Sequence, residues 1–237
     1  MQRFRKKEIA ALTRGFDTST YTESEFSSEG HVQKVVNVKL SEEACAVISD
    51  VAARVYKASR GQLSSEANYR FGLLGQCSDA LYLFKKYDEG LKTVNFGEPD
   101  LFDIEYMGFK FEVKTFRWTR PDDPDSWMAI PLRQFNNSER LYPFYIANQG
   151  LEKDEIRILG FMHRERVKYV GSVRPCPLYK KPSIRIEHLK EFCPIRCLDC
   201  ELHPKHRCLK WDCDEKGCCT LDESNDPYNF NYPDNLE

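Results

Sequence analysis

The sequence predicts a mixed α/β domain with a central sheet flanked by helices, followed by a small Cys/His-rich metal-binding module at the C-terminal end. Three observations predict it. Apolar residues recur at helical spacing up to about residue 86, then alternate with period two, so helices and strands are interleaved along one chain. Seven of the ten cysteines crowd between Cys193 and Cys219, beyond the last strand-like run. A chain of 237 residues with 41% hydrophobic content can bury one full core plus an appendage, which excludes a wholly disordered protein.

Residues 1–30 are polar and rich in Ser, Thr and Glu, which predicts a mobile arm with a short helix near residues 6–12. The run VQKVVNVKL at 32–40 alternates and predicts a strand. Ser41 is placed to cap a helix reaching about residue 58, with Glu42 and Glu43 at its positive end and apolar Ala44, Val47, Ile48, Val51 and Val55 on one face. Ser64 or Ser65 opens a second helix running to about residue 86. Period two then predicts strands at 91–96, 100–106 and 109–118, the last two joined by a hairpin at Met107-Gly108. A loop at 120–126, a helix at 131–140 opening on proline, and buried strands at 142–147 and 155–162 complete the domain, set at 31–190.

The net charge is −2, but it is unevenly spread. Residues 160–196 carry +6 and residues 214–237 carry −6. A basic segment beside an acidic tail fits a phosphate-facing surface, although a solvated charged face explains it as well. No apolar run approaches the roughly 18–20 residues of a membrane span. The N-terminus lacks the apolar core of a secretory signal, and clustered cysteines suit metal binding in a reducing compartment, so an intracellular, cytoplasmic location is expected.

The chemistry concentrates in GEPDLFDIEYMGFKFEVKTF at 97–116. On a strand, Glu112 and Lys114 share a face and Val113 points the other way. Alone, such a pair is usually a surface ion pair. Here it interrupts the apolar positions Phe109, Phe111, Val113 and Phe116, where charges are costly unless paired or bound to a metal. Asp100 opens the preceding strand and can bring a second carboxylate, and Glu66 on the helix before it a third. Converging carboxylates make a hard oxygen site of the kind Mg²⁺ or Mn²⁺ occupies. A neighbouring lysine can orient a water and offset charge on a phosphate.

Pro99-Asp100 followed after eleven residues by Glu112-Val113-Lys114 resembles the motif of the PD-(D/E)-X-K nuclease superfamily, and the element order from 64 to 162 is similar to its restriction-endonuclease-like core. The resemblance implies a metal-dependent deoxyribonuclease, endonuclease or exonuclease, that leaves 5′-phosphate ends. It implies Asp100, Glu112 and the Val113 carbonyl as Mg²⁺ ligands, Lys114 on the attacking water, and Glu66 as the acidic residue of the first core helix. One departure stands out. A hairpin centred on Met107-Gly108 opposes Glu112 to Asp103, so Asp100 converges only through a bulge or bend. The Pro-Asp pairing favours Asp100 over Asp103.

Gln134, on the expected second helix, can face the site or be a solvated helix residue. Arg117, Trp118 and Arg120 extend the strand outward and can meet a DNA backbone or stack a base; Arg164, Arg166, Lys168, Arg174, Lys180 and Lys181 can track phosphates. For each, an ordinary structural or surface role is the alternative.

The C-terminal run has the spacing C-x2-C-x12-C-x4-C through Cys197, Cys200, Cys213 and Cys218, with His203, His206 and Cys208 between. Four such ligands suit tetrahedral Zn²⁺, and the histidines favour zinc over an iron–sulfur cluster. A module at 191–220 built on Cys197, Cys200, His206, Cys208, Cys213 and Cys218 would grip DNA or dock a protein partner, and residues 221–237 read as an acidic, disordered tail. Cutting both strands would favour a homodimer. Two rivals stay open: a non-catalytic nucleic-acid-binding or interaction protein that relies on the zinc module, and an RNA-cutting nuclease of the same fold.

Overall fold

The computed structural model describes residues 4–28, 30–59, 65–86, 94–96, 102–106, 108–117, 127–137, 144–175, 182–195 and 198. The chain divides into two units, Met1–Ile195 and Arg196–Glu237, and of the second only Leu198 is among the described residues. The Cys/His module beyond Cys193 and the acidic tail therefore lie outside the described residues, as do Asp100, Trp118, Arg120, Lys180 and Lys181.

The N-terminal segment corrects the expectation of a mobile arm. It folds as α1 (Lys6–Thr18) and β1 (Thr20–Ser28). Phe4, Leu12 and Phe16 are buried, and Arg54 reaches back to the Glu8 carboxylate at 2.8 Å. β1 pairs along its whole length with β2 (His31–Lys39), from Thr20 opposite Lys39 to Ser28 opposite His31. The segment looked arm-like because β1 is an edge strand, which buries little and keeps a polar sequence.

The capping argument holds at both long helices. In α2 (Glu42–Ala58) the Ser41 hydroxyl accepts from the Ala44 amide at 3.2 Å. In α3 (Glu66–Lys86) Ser65 is the cap, accepting from Asn68 at 3.0 Å. Three strands follow, β3 (Val94–Phe96), β4 (Ile104–Tyr106) and β5 (Phe109–Arg117). The hairpin falls where the sequence placed it, with Tyr106 opposite Phe109 and Gly108 at φ 82°, a backbone region open to glycine without strain.

The helix expected at 131–140 is a single turn. Met128–Pro131 forms β6, and α4 spans Leu132–Phe135. Pro131 ends an edge strand rather than opening a long helix, a position where its missing N–H does no harm. Then come β7 (Phe144–Gly150) and β8 (Glu155–His163). After them the chain adds elements that periodicity did not reveal: α5 (Arg164–Val170), β9 (Ser172–Pro175) and β10 (Pro182–Ile186).

The main sheet has the order β1-β2-β8-β7-β5-β4-β3. All its pairs are antiparallel except β5 and β7, which run parallel and are joined by the β6–α4 excursion. α3 lies against one face: Gly75 meets Thr115 of β5, and Asp79 meets Asn148 of β7. The small antiparallel sheet β6-β10-β9 covers the other face. There Trp127, Met128, Ile130, Ile184 and Ile186 pack on Val35, Tyr145, Ala147 and Leu159. Among the described residues no helix is long and apolar enough to cross a membrane.

Candidate active site

β5 divides its side chains between the two faces. Phe111 stacks on Phe144 and Thr115 meets Gly75, so 111, 113 and 115 face α3. Glu112 and Lys114, opposite Tyr145 and Ala147 of β7, face the small sheet and α4. The Lys114 ammonium donates to Glu112 Oε1 at 2.6 Å, with side-chain exposures of 19% and 8%. Gln134 of α4 completes the group. Its Oε1 accepts from Lys114 Nζ at 3.0 Å and its Nε2 donates to the same Glu112 Oε1.

The sequence explains why these three meet. The pleat puts Glu112 and Lys114 on one side, and the parallel β5–β7 pairing forces the connecting segment back over the sheet. α4 lies in that segment, anchored by Phe135 stacked on Tyr145 at 6.4 Å. Arg164 fixes α4 from outside, donating to the Phe135 carbonyl with its guanidinium 5.0 Å from the Phe135 ring centre. A carboxylate and an ammonium this sheltered would be costly singly; paired and crosslinked by an amide they are tolerated.

Behind the strand lies a second polar group. Asp103, just before β4, accepts from the Val113 amide at 2.8 Å and from Gln76 Nε2 of α3 at 2.8 Å. Asp79 accepts from Asn148 Nδ2 at 2.9 Å. Asp79 Oδ1, Asn148 Oδ1 and Thr115 Oγ1 are buried and have no hydrogen-bond partner among the described residues. Burial pushes the Asp79 carboxyl well above its usual range; the Asn148 bond opposes the rise and the nearby Asp103 charge adds to it. A proton on Asp79 gives this oxygen-rich cluster a donor it otherwise lacks.

That proton has a sign. The folded state holds it at pH values where the unfolded chain, near 3.8, has released it. Stability from this group is full below the unfolded value and is lost as pH rises towards the folded one. Asp79→Asn keeps the acceptor for Asn148 and cannot ionise. It should unfold at higher denaturant than wild type at pH 8, with the gap closing by pH 4, in urea melts at the two pH values.

The structure thus brings together Glu112, Lys114 and Gln134. It does not bring Glu66 to them: that residue is exposed in the first turn of α3, on the opposite face of the sheet. Asp103, the ideal-register alternative to Asp100, turns its carboxylate to the Val113 amide and Gln76 instead of to Glu112. Arg117 ends β5. Of the proposed phosphate-tracking residues, the four that are described are each engaged with a neighbour in the chain. Arg164 holds α4, Arg166 pairs with Glu191 at 2.6 Å, Lys168 with Glu165 at 2.6 Å, and Arg174 with Glu187 at 3.2 Å. The three glutamates in these pairs are already counted in the net of +6 over residues 160–196, so the local excess of positive charge remains.

The donor set facing this site is hard. On this face it is the Glu112 carboxylate; the Val113 carbonyl lies on the strand edge that also carries the amide held by Asp103. One carboxylate, a carbonyl and several waters fit Mg²⁺. Among the described residues no cluster of three or more His, Cys, Asp or Glu side chains could hold a metal by itself. Sequence reasoning missed the Asp103–Gln76 and Asp79–Asn148 contacts, although Gln76 and Asp79 stand out as polar residues within the apolar run LLGQCSDALYLF. No family model, curated protein or solved structure matches this chain.

Proposed function

We propose that the chain is a Mg²⁺-dependent nuclease that hydrolyses phosphodiester bonds of DNA. The observation that carries this reading is the sheltered constellation of Glu112, Lys114 and Gln134, two charges on one strand face bridged by an amide from the β5–β7 crossover. The order α3, β3, β4, β5, α4, β7 with a parallel β5–β7 pair supports a restriction-endonuclease-like core.

Glu112 and the Val113 carbonyl, with Asp100, would hold the metal. Bound there, Mg²⁺ would lower the pKa of a water and offset charge on the phosphate oxygens. Lys114 Nζ is a donor that can turn from Glu112 to the attacking water or to a non-bridging oxygen. Gln134, bonded to both charged partners, fixes their orientation and limits their freedom before substrate arrives. The C-terminal cysteines and histidines would bind structural Zn²⁺ and add a grip on DNA or a protein partner.

Digestion of single- and double-stranded DNA and of RNA, each with Mg²⁺, with Mn²⁺ and with EDTA, tests the reading. Cleavage of DNA in either metal and none in EDTA is expected. Selective loss of RNA would move the substrate to RNA. Tight binding without cleavage in any condition would instead favour a binding protein that relies on its zinc module.

A further inference from the structure

We infer that Asp103 is a positioning residue that locks the Glu112-Val113-Lys114 backbone to α3, and is not a metal ligand. The inference rests on the nuclease reading and deepens it. Among the described residues, β4 and β5 pair from Ile104 opposite Phe111 to Tyr106 opposite Phe109. One further backbone bond runs from the Asp103 amide to the Phe111 carbonyl at 2.9 Å. The next donor of β5 along this edge is the Val113 amide, and it is taken by the Asp103 side chain at 2.8 Å.

The other carboxylate oxygen of Asp103 takes Gln76 Nε2 at 2.8 Å. Asp103 is 7% exposed and Gln76 8%, so the relay from α3 to β5 is sheltered from water. Within an extended strand the N–H and C=O of one residue lie on the same edge, so fixing the Val113 amide also fixes its carbonyl. The held peptide stands between the two functional side chains, and a small rotation there would swing both. Both oxygens of Asp103 are engaged, one by Gln76 of α3 on the sheet face away from Glu112 and Lys114 and the other by the Val113 amide on the strand edge, so neither is directed at Glu112.

The two roles separate on Asp103→Asn and Asp103→Ala. With asparagine, one oxygen still accepts from Val113, and its amide donates to Gln76 once that amide turns over. A positioning residue therefore tolerates asparagine: kcat within about threefold of wild type, with the Mn²⁺ concentration for half-maximal activity unchanged. A metal ligand does not, and Asp103→Asn would then raise that concentration by about tenfold or more. Asp103→Ala should lower kcat by about 100-fold with KM nearly constant, since the reacting groups lose alignment rather than substrate contact.

A readout independent of activity accompanies these. By amide hydrogen exchange, Val113 in wild type should be protected like the paired residues of β5, and in Asp103→Ala should exchange at least about tenfold faster. If wild type does not cleave DNA, the nuclease reading fails and the exchange measurement still decides the structural relay. If wild type cleaves, a raised Mn²⁺ requirement in Asp103→Asn, or an unprotected Val113 amide in wild type, overturns the inference even if Asp103→Ala fails to fold.

Discussion

Lys114→Ala is expected to lower metal-dependent DNA cleavage by about 10²–10³-fold, the loss typical of removing one preorganised donor from a reacting centre. The fold should survive it. Glu112 keeps the Gln134 Nε2 donor on Oε1 after the ammonium is gone, so its carboxylate is not orphaned. The pair is also partly open to water, with Lys114 19% exposed, so the stability cost should be about 1–2 kcal/mol rather than the larger penalty of breaking a fully buried pair. Initial rates on a DNA substrate, with a thermal melt of the same preparation, separate the two effects. A well-folded Lys114→Ala protein that cuts as fast as wild type would rule out the assignment of chemistry to this face.

A large stability effect is expected at Gly75. A Cβ there would collide with Thr115 Oγ1 and sit 3.1 Å from Asn148 Nδ2, where α3 closely approaches the sheet. Neither neighbour can give easily, since Thr115 is β-branched and Asn148 is fully buried and bonded to Asp79. Gly75→Ala should cost about 3 kcal/mol, at the upper end for overpacking. For a domain of this size that lowers Tm by roughly 6–12 °C. Gly72, one helical turn earlier, has nothing within 4 Å of its would-be Cβ, so Gly72→Ala is the matched control and should be neutral or stabilising by up to about 1 kcal/mol. Adding Thr115→Ala to Gly75→Ala should recover part of the loss, and calorimetry on the single and double variants measures that coupling. Equal melting temperatures for Gly75→Ala and Gly72→Ala would refute the close contact.

The parts legible in the sequence were those governed by local rules. Ser41 and its acidic first turn fix α2, and Met107-Gly108 fixes the hairpin register. The alternation around Glu112 and Lys114 predicts their common face, and the structure pairs them. What escaped detection depends on tertiary context. The β1 edge strand is polar because only one of its edges pairs, so composition made it look unstructured. β6, β9 and β10 have 4, 4 and 5 residues, too few for a period to show. Gln134 was readable as a helix residue, but its meeting with Glu112 depends on the parallel β5–β7 crossover, a long-range feature. The bend at Asp103 that sends its carboxylate to Val113 departs from ideal pairing, which periodicity assumes throughout.

The pleat of β5 sorts its residues by parity. Even-numbered positions 112 and 114 bear the sheltered ion pair, while odd-numbered 111, 113 and 115 bear the packing against α3. Substitution on one parity can drift without disturbing the other, so the charged face and the packed face can be tuned separately along a single nine-residue strand. Insertion or deletion is another matter. One residue gained or lost between Gly108 and Glu112 would exchange the two sets wholesale, driving a carboxylate and an ammonium into the helix contact and presenting phenylalanine and valine to the opposite side. Variation in this stretch should therefore proceed by replacement at constant length.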